Sequence, residues 1–238
     1  MEVIFTHNYQ PDLLVWGVRM GEPVVALTGL MITFFAVYAW RRLTKAPLQD
    51  DVTRLSRFFF LFTGVSTLIS AVVGHIFLYA LPFAYKLPGW MSGIIAISAF
   101  EQASIVHARP FTGHRLSKAL TWFNILKLTV AVWLIWSTLW FPCVEIHAAL
   151  GFLCIIGPLE AYRWLKKGLK SGRKMWLGIA CLFFAVLTHL LEISISKWFG
   201  YFDIAHLIMC GAIWFFMLGV EAGAKERLKS IEGDANPG

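Results

Sequence analysis

The chain has 238 residues, of which 58% are hydrophobic and 15% are charged, and its mean hydropathy is +0.66. A water-soluble domain of this length needs a largely polar surface, so this composition excludes a soluble protein and indicates an integral membrane protein. The formal net charge is +7. Because no basic stripe is interleaved with aromatic residues, we do not expect a nucleic-acid-binding protein.

Seven apolar stretches are each long enough to cross a bilayer, which takes roughly 20 helical residues. Runs such as 58–62 and 180–187 are apolar on every side, whereas strands of a membrane barrel alternate apolar and polar residues. The sequence therefore predicts an all-α fold, a seven-transmembrane helical bundle, with spans at 23–40, 58–81, 89–108, 119–139, 143–164, 175–195 and 202–221. Residues 1–22 and 222–238 are predicted to flank the bundle as an extracytoplasmic segment and a cytosolic tail.

The distribution of Lys and Arg predicts the orientation. Of these 21 residues, 17 lie in the connections after the first, third and fifth spans or in the C-terminal tail. The opposite side has only Arg19, Lys86 and Lys197, and Lys127 lies inside the fourth span. The positive-inside rule then places the N-terminus outside and the C-terminus in the cytosol. Basic inner loops of this kind suit a bacterial inner membrane and contact with its anionic lipids; the pattern does not indicate an oligomeric state.

Several ionisable residues are predicted to lie in the outer half of four different spans. Such residues usually face the bundle interior, so we expect them to converge on one buried site. Two of them share a helix face with Cys210, since Asp203 and His206 precede it at i, i+3, i+7 spacing. The same spacing relates His189, Glu192 and Ser196 on the sixth helix. The full set is His75, Glu145, His147, His189, Glu192, Asp203 and His206.

Three or four His and carboxylate ligands around a divalent ion, with one position open to water, form a hydrolytic zinc centre. The candidate zinc ligands are His75, His206 and His189, and the candidate catalytic residues are Asp203 and Glu192. Each of these two carboxylates could act as a general base or as an acceptor that orients an imidazole. The spacing does not separate these roles.

Some short motifs resemble those of a known family. A His flanked by Ser and Gly ends the second span, Asp203-x-x-His206 enters the last, and Glu22-Pro23 and Thr28-Gly29 open the first. In these features the chain resembles the CREST superfamily of seven-helix membrane hydrolases, which includes alkaline ceramidases and adiponectin-receptor-like proteins. It is most similar to uncharacterised bacterial seven-transmembrane proteins of that type. The resemblance implies a zinc ion held by His75 and His206, whose water attacks a lipid-like amide or ester.

The chain also departs from the family pattern. Ala71 stands where alkaline ceramidases have Ser, and Phe202 stands where they have a second His in the last helix. The third helix offers only Glu101, at a different depth from the family's Asp. One expected ligand is therefore missing, and His189 or Asp203 would have to replace it.

Two other functions remain open. Two His from separate helices can ligate a haem iron, and the candidates are His75, His147, His189 and His206. Alternatively, the protein is a non-enzymatic receptor, transporter or assembly factor whose polar cluster binds a ligand or ions.

A second group of buried polar residues lies in the cytosolic half. We expect Glu101, Gln102 and Glu160 to pair with Lys127 or Arg163, since intramembrane charges commonly pair with one another. The sequence therefore favours structural ion pairs here over a proton path.

Overall fold

The computed structural model describes residues 10–235, most of which are helical. Six helices in this part of the chain are long and apolar enough to cross a membrane. The prediction of an all-α, multi-pass membrane protein is confirmed. The six are Pro23–Leu43, Asp51–Ile76, Phe83–Thr138, Pro142–Leu165, Lys170–Leu190 and Tyr201–Gly233.

Two short strands precede the helices, and two of the six apolar helices change their winding along their length. Residues Ser70–Ile76, at the end of the second apolar helix, and Leu150–Ile156, inside the fourth, are π-helical. A 3₁₀ turn at Phe83–Lys86 begins the third. In chain order the elements are β1 (Leu13–Val15), β2 (Val18–Met20), α1 (Pro23–Leu43), α2 (Asp51–Ile69), α3 (Leu87–Thr138), α4 (Pro142–Ala149), α5 (Gly157–Leu165), α6 (Lys170–Leu190) and α7 (Tyr201–Ala235).

The helix α3 is interrupted at Gly113, whose φ of 77° and ψ of 166° are not helical. Beyond this residue the chain folds back on itself. Asn124 donates to the carbonyl of Ser98 at 2.9 Å and Gln102 donates to Thr121 at 3.2 Å. The two arms of α3, 87–112 and 114–138, therefore lie antiparallel against each other, and they correspond to the third and fourth predicted spans.

The helices pack side by side in a closed order. Helix α1 lies between α2 and α7, α2 packs on α3, and α6 joins α5 to α7. Phenylalanine rings fill the centre: Phe59 stacks on Phe100 at 4.2 Å between ring centroids, and Phe152 stacks on Phe216 at 5.5 Å. Burying rings of this size is a large apolar contribution to stability.

The segment before α1 contains a short β-hairpin. The strands β1 and β2 pair as an antiparallel hairpin whose two turn residues, Trp16 and Gly17, both have positive φ, as a type I′ turn requires. The chain then returns to the bundle, where the Gly21 N–H donates to the carbonyl of Ile76 at 3.1 Å. This bond ties the residues before α1 to the π-helical end of α2.

The last helix continues well past residue 221, where its span was predicted to end. It reaches Ala235, and ion pairs at and just beyond residue 221 join it to other elements. Arg227 pairs with Asp50 at 2.6 Å, and Glu221 pairs with Arg42 at 2.5 Å. The first part of the predicted tail, 222–228, is thus helical and mostly packed against the bundle, whereas 229–233 are helical and exposed.

Candidate functional site

The π-helical end of α2 carries His75, whose Nδ1 lies 2.7 Å from Oε2 of Glu22. Both side chains are largely buried, at 16% and 12% exposure. A carboxylate only accepts hydrogen bonds, so the proton of the neutral imidazole is on Nδ1. Within residues 10–235, no hydrogen bond engages Nε2 of His75.

Glu22 has a backbone conformation that is unusual for its residue type. It precedes Pro23, the first residue of α1, and has φ 39° and ψ 54°, in the left-handed region. A non-glycine residue held there costs of order 1–3 kcal/mol and persists only where surrounding contacts enforce it. π-Helical segments are likewise often found at functional sites. The Glu22–His75 pair combines both features.

His206, on α7, is hydrogen-bonded to a residue of α1. Its Nδ1 lies 3.0 Å from the Thr28 hydroxyl, which is also 3.3 Å from Oδ1 of Asp203. A Cβ on Gly29 would lie 3.8 Å from the His206 ring, so helix α1 approaches this ring closely. As with His75, no hydrogen bond within the described chain engages Nε2 of His206.

Asp203 is fully buried and is supplied with several donors. Its Oδ2 accepts from the Gly200 N–H at 2.7 Å and from Nε2 of Gln10 at 2.8 Å. The Oε1 atom of Gln10 accepts from the N–H groups of Val24 and Val25 at 3.0 and 3.2 Å. These are N–H groups of the first turn of α1, which need a partner outside the helix. Asp203 thus connects α7 to the start of α1.

The imidazoles of His75 and His206 are neighbours in the structure. The ring centroids of His75 and His206 are 6.4 Å apart with the rings near perpendicular. His75 also packs against Phe202 at 6.3 Å, and His189 packs against the same phenylalanine at 5.0 Å. His75 and His189 therefore both contact Phe202 and His206 lies beside His75, where the C-terminal ends of α2 and α6 meet the N-terminal end of α7.

Within residues 10–235, the arrangement supplies fewer ligands than a zinc centre needs. Within the described residues no group of three or more His, Cys, Asp and Glu side chains is placed to hold a metal ion. The His75–His206 pair supplies two imidazoles of suitable type, but Asp203 is already occupied by its donors. No catalytic step through zinc follows from this geometry.

Three of the residues expected at this site lie elsewhere. Helix α6 ends at Leu190, and Glu192 is exposed in the following turn with φ 50°. The prediction that His189 and Glu192 share a helix face is therefore wrong, because the helix stops before Glu192. Glu145 is exposed on α4. His147 is buried against Ser98 of α3, with Nε2 at 3.2 Å from the hydroxyl.

Sequence reasoning did not identify the partners that orient the two imidazoles. Glu22 and Thr28 were noted only as parts of motifs, and the role of Gln10 was missed. The Pro at the first position of α1 is one signal, because it marks the start of the helix and so places Glu22 at the N-cap. No sequence signal points to Gln10, which lies far from Asp203 along the chain.

The expected intramembrane ion pairs are present. Lys127 donates to Glu101 across the two arms of α3. Arg163 pairs with Glu160 at 2.6 Å, and each side chain is only 1% exposed. Gln102 bonds to Thr121 instead of a charged group.

Comparison with known proteins gives one family. No curated protein matches the chain, and no solved structure matches it. Residues 24–225 match DUF6962, a family of unknown function, and because this match covers most of the sequence, the chain belongs to that family.

Proposed function

We propose that this chain is a seven-span membrane protein of the bacterial inner membrane, with its N-terminus outside and its C-terminus in the cytosol. The fold-back of α3 supports seven spans, since it divides the longest apolar helix into two arms. Arg109, Arg115 and Lys118 flank the fold-back at Gly113, as expected of a cytosolic connection.

We further propose that the protein binds a lipid-like small molecule at the His75–His206 pair and acts as a receptor, transporter or assembly factor. The observation that carries this proposal is the strained Glu22, whose carboxylate holds His75 toward His206. Backbone strain of this kind clusters at ligand sites. Buried ionisable groups in a membrane protein are commonly functional.

The surroundings of the pair suggest the class of ligand. With its proton on Nδ1, His75 has an Nε2 atom that accepts a hydrogen bond, so it can recognise a hydroxyl or an amide N–H of a ligand. The Phe202 ring beside this imidazole and the apolar exterior of the helices suit an acyl chain. A molecule with one polar group and an apolar tail satisfies both surfaces.

A metal-dependent hydrolase of a lipid amide or ester is the second candidate. One observation favours it: Nδ1 of each imidazole is held by a partner, Glu22 or Thr28, which is the usual arrangement of metal-binding histidines. This function also needs a third ligand, and His189 on the Phe202 ring is the available residue.

The test is native mass spectrometry of the protein purified in nanodiscs, combined with metal analysis and an absorbance spectrum. We compare the natural protein with His75→Ala and His206→Ala, and with His114→Ala as control, because His114 is exposed. The expected result is a bound amphiphile that both site variants lose, that the control keeps, and that chelators do not release.

Other outcomes separate the candidates. One zinc per chain, lost in both site variants together with amide or ester cleavage, favours the hydrolase. A haem absorbance band favours the haem protein. Equal amphiphile binding by all four proteins contradicts a ligand site at the pair.

A further inference from the structure

A second buried polar cluster lies away from the His75–His206 pair, between the two arms of α3 and helix α4. It contains Glu101, Asn124 and His147, which are only 0%, 4% and 2% exposed. Glu101 Oε2, Asn124 Oδ1 and His147 Nδ1 are all buried and have no hydrogen-bond partner among the described residues. Buried polar atoms are almost always paired, so three unpaired atoms in one cluster indicate a bound group from outside the protein chain.

The side chains of the cluster are connected in two layers, one helical turn apart. In the first layer Asn124 donates to the Ser98 carbonyl at 2.9 Å, and the Ser98 hydroxyl lies 3.2 Å from His147 Nε2. In the second, Lys127 donates to Glu101 and, at 3.0 Å, to the carbonyl of His147. The spacings 98/101 and 124/127 put each pair on one helix face. The three unpaired atoms thus belong to side chains of one hydrogen-bonded network.

The chemistry of these atoms selects the ligand. Glu101 Oε2 and Asn124 Oδ1 are acceptors, so an anion is excluded. The charge of the Glu101 carboxylate is already balanced by Lys127, so an additional cation would leave a buried net charge, which is costly. A small neutral molecule that donates two hydrogen bonds and accepts one fits all three atoms.

We propose that this cluster binds a single water molecule. The water donates to Glu101 Oε2 and Asn124 Oδ1 and accepts from His147 Nδ1–H. The Ser98 hydroxyl then donates to His147 Nε2, which fixes the tautomer. In the opposite tautomer His147 Nδ1 would be a third acceptor, and the two hydrogens of one water could not satisfy all three. The site hydrates the Glu101–Lys127 ion pair inside the bundle.

The experiment is solid-state NMR of the full chain in lipid bilayers with ¹⁵N-labelled histidine. The His147 resonances are identified by their loss in His147→Gln. We expect the Nδ1–H tautomer and transfer of magnetisation from water to this ring. In Asn124→Leu the transfer is lost, because the water loses one of its acceptors. The matched control is Gln102→Leu, which removes an amide between the same two arms but outside the cluster, and which keeps the transfer.

Two results would overturn the proposal. The first is an Nε2–H tautomer of His147 in the natural protein. The second is the absence of transfer from water to its ring. Both results are measured on the natural protein, so they do not depend on the folding of any variant. Neither result depends on ligand binding at the His75–His206 pair.

Discussion

Glu22 accepts a 2.7 Å hydrogen bond from the ring of His75, although 53 positions separate the two residues in the sequence. The bond joins the start of α1 to the π-helical end of α2. It fixes both the tautomer and the orientation of an imidazole in the proposed ligand site. Variants of Glu22 therefore test whether this orientation serves binding.

We expect Glu22→Ala to weaken retention of the bound amphiphile by about ten- to a hundredfold, since a hydrogen bond to a charged group contributes about 1.5–3 kcal/mol. Glu22→Gln should retain most of the binding, because its amide oxygen can accept the same proton. Native mass spectrometry gives the retained fraction. Glu145→Ala, an exposed glutamate of α4, is the control. Equal losses in the Ala and Gln variants would show that the negative charge, and not the hydrogen bond, is needed.

Asp203 is predicted to stabilise the fold at the N-terminal end of α7. In Asp203→Asn, one carboxylate oxygen becomes an amide nitrogen that faces the Gly200 N–H, the Gln10 amide or the Thr28 hydroxyl. Leaving a buried donor unpaired costs about 1–3 kcal/mol, so the melting temperature in detergent should fall.

The control for this variant is Glu192→Gln, on an exposed turn, which should change neither the melting temperature nor ligand binding. An Asp203→Asn protein with the natural melting temperature but no ligand binding or turnover would instead show that Asp203 acts directly at the site.

Breaking the buried ion pair Glu160–Arg163 should lower the free energy of unfolding more than the changes above. Both side chains are 1% exposed, and Arg163 also donates to Ser171 at 2.6 Å. Removing one partner of such a pair leaves an uncompensated buried charge, so Arg163→Met should lower the free energy of unfolding by about 3–5 kcal/mol. The double variant Glu160→Leu/Arg163→Met should recover much of this loss, since the fully buried Glu160 charge is then removed, whereas Glu226, which lies 3.9 Å from Arg163, is 23% exposed.

The control for this pair is Arg54→Met, which breaks an exposed ion pair. Arg54 is 66% exposed and lies 3.7 Å from Asp51, and an exposed pair contributes about 0–1 kcal/mol. Denaturant unfolding in detergent measures all three variants. A double variant as unstable as Arg163→Met would show that the lost contacts of Arg163, rather than the unpaired Glu160, cause the destabilisation.

The sequence allowed the helices and the depth of their polar residues to be predicted. Apolar runs of about 20 residues can only be helical in lipid. The depth of His75 and His206 along α2 and α7 was enough to expect them near each other, and their rings are 6.4 Å apart. The Glu101–Lys127 and Glu160–Arg163 pairs were predicted by the same argument, because charged residues in a membrane protein commonly pair with one another at the same depth.

The direction in which a side chain faces could not be predicted in the same way. Depth does not distinguish the two sides of a helix, so His147 was expected with His75, whereas it faces Ser98 on α3. A π-helical turn also changes the angle between successive side chains, and an apolar run such as 150–156 has no residue that marks such a turn. The end of α6 before Glu192 was missed for a related reason, since the residues after Leu190 remain largely apolar.

The fold-back of α3 depends on a conformation that only glycine adopts readily. Gly113 has φ 77° and ψ 166°, so Gly113→Ala should destabilise the protein by about 1–3 kcal/mol through backbone strain alone, because no atom lies within 4 Å of an added Cβ. Thermal unfolding in detergent measures the loss. Gly211→Ala is the control, since this glycine lies within the helical part of α7 and an added Cβ would make an ordinary 3.6 Å contact. Similar melting temperatures for the two variants would exclude strain at the fold-back.

Asp50 pairs with the C-terminal extension of α7, and its contribution to the stability of the protein should depend on pH. It caps α2 by accepting from the Thr53 N–H at 3.0 Å, and it pairs with Arg227 at 2.6 Å. Burial raises the pKa of the carboxyl, but the hydrogen bonds from Arg227 and Thr53 outweigh this, so its pKa lies below the ordinary value of 3.8. A carboxyl whose pKa is lowered by folding stabilises the protein above its unfolded pKa, and this contribution disappears as the pH falls through its folded pKa.

We therefore expect Asp50→Asn to lower the melting temperature at neutral pH, and the difference from the natural protein to shrink as the pH falls below about 4. Asparagine is also a good N-cap, so this substitution removes the charge while it keeps the cap on α2. Asp51→Asn, at a neighbouring carboxylate that is 77% exposed, should show little difference at any pH. A loss in Asp50→Asn that stays constant from pH 7 to pH 3 would mean that the shape of the side chain, and not its ion pair with Arg227, stabilises the junction between α2 and α7.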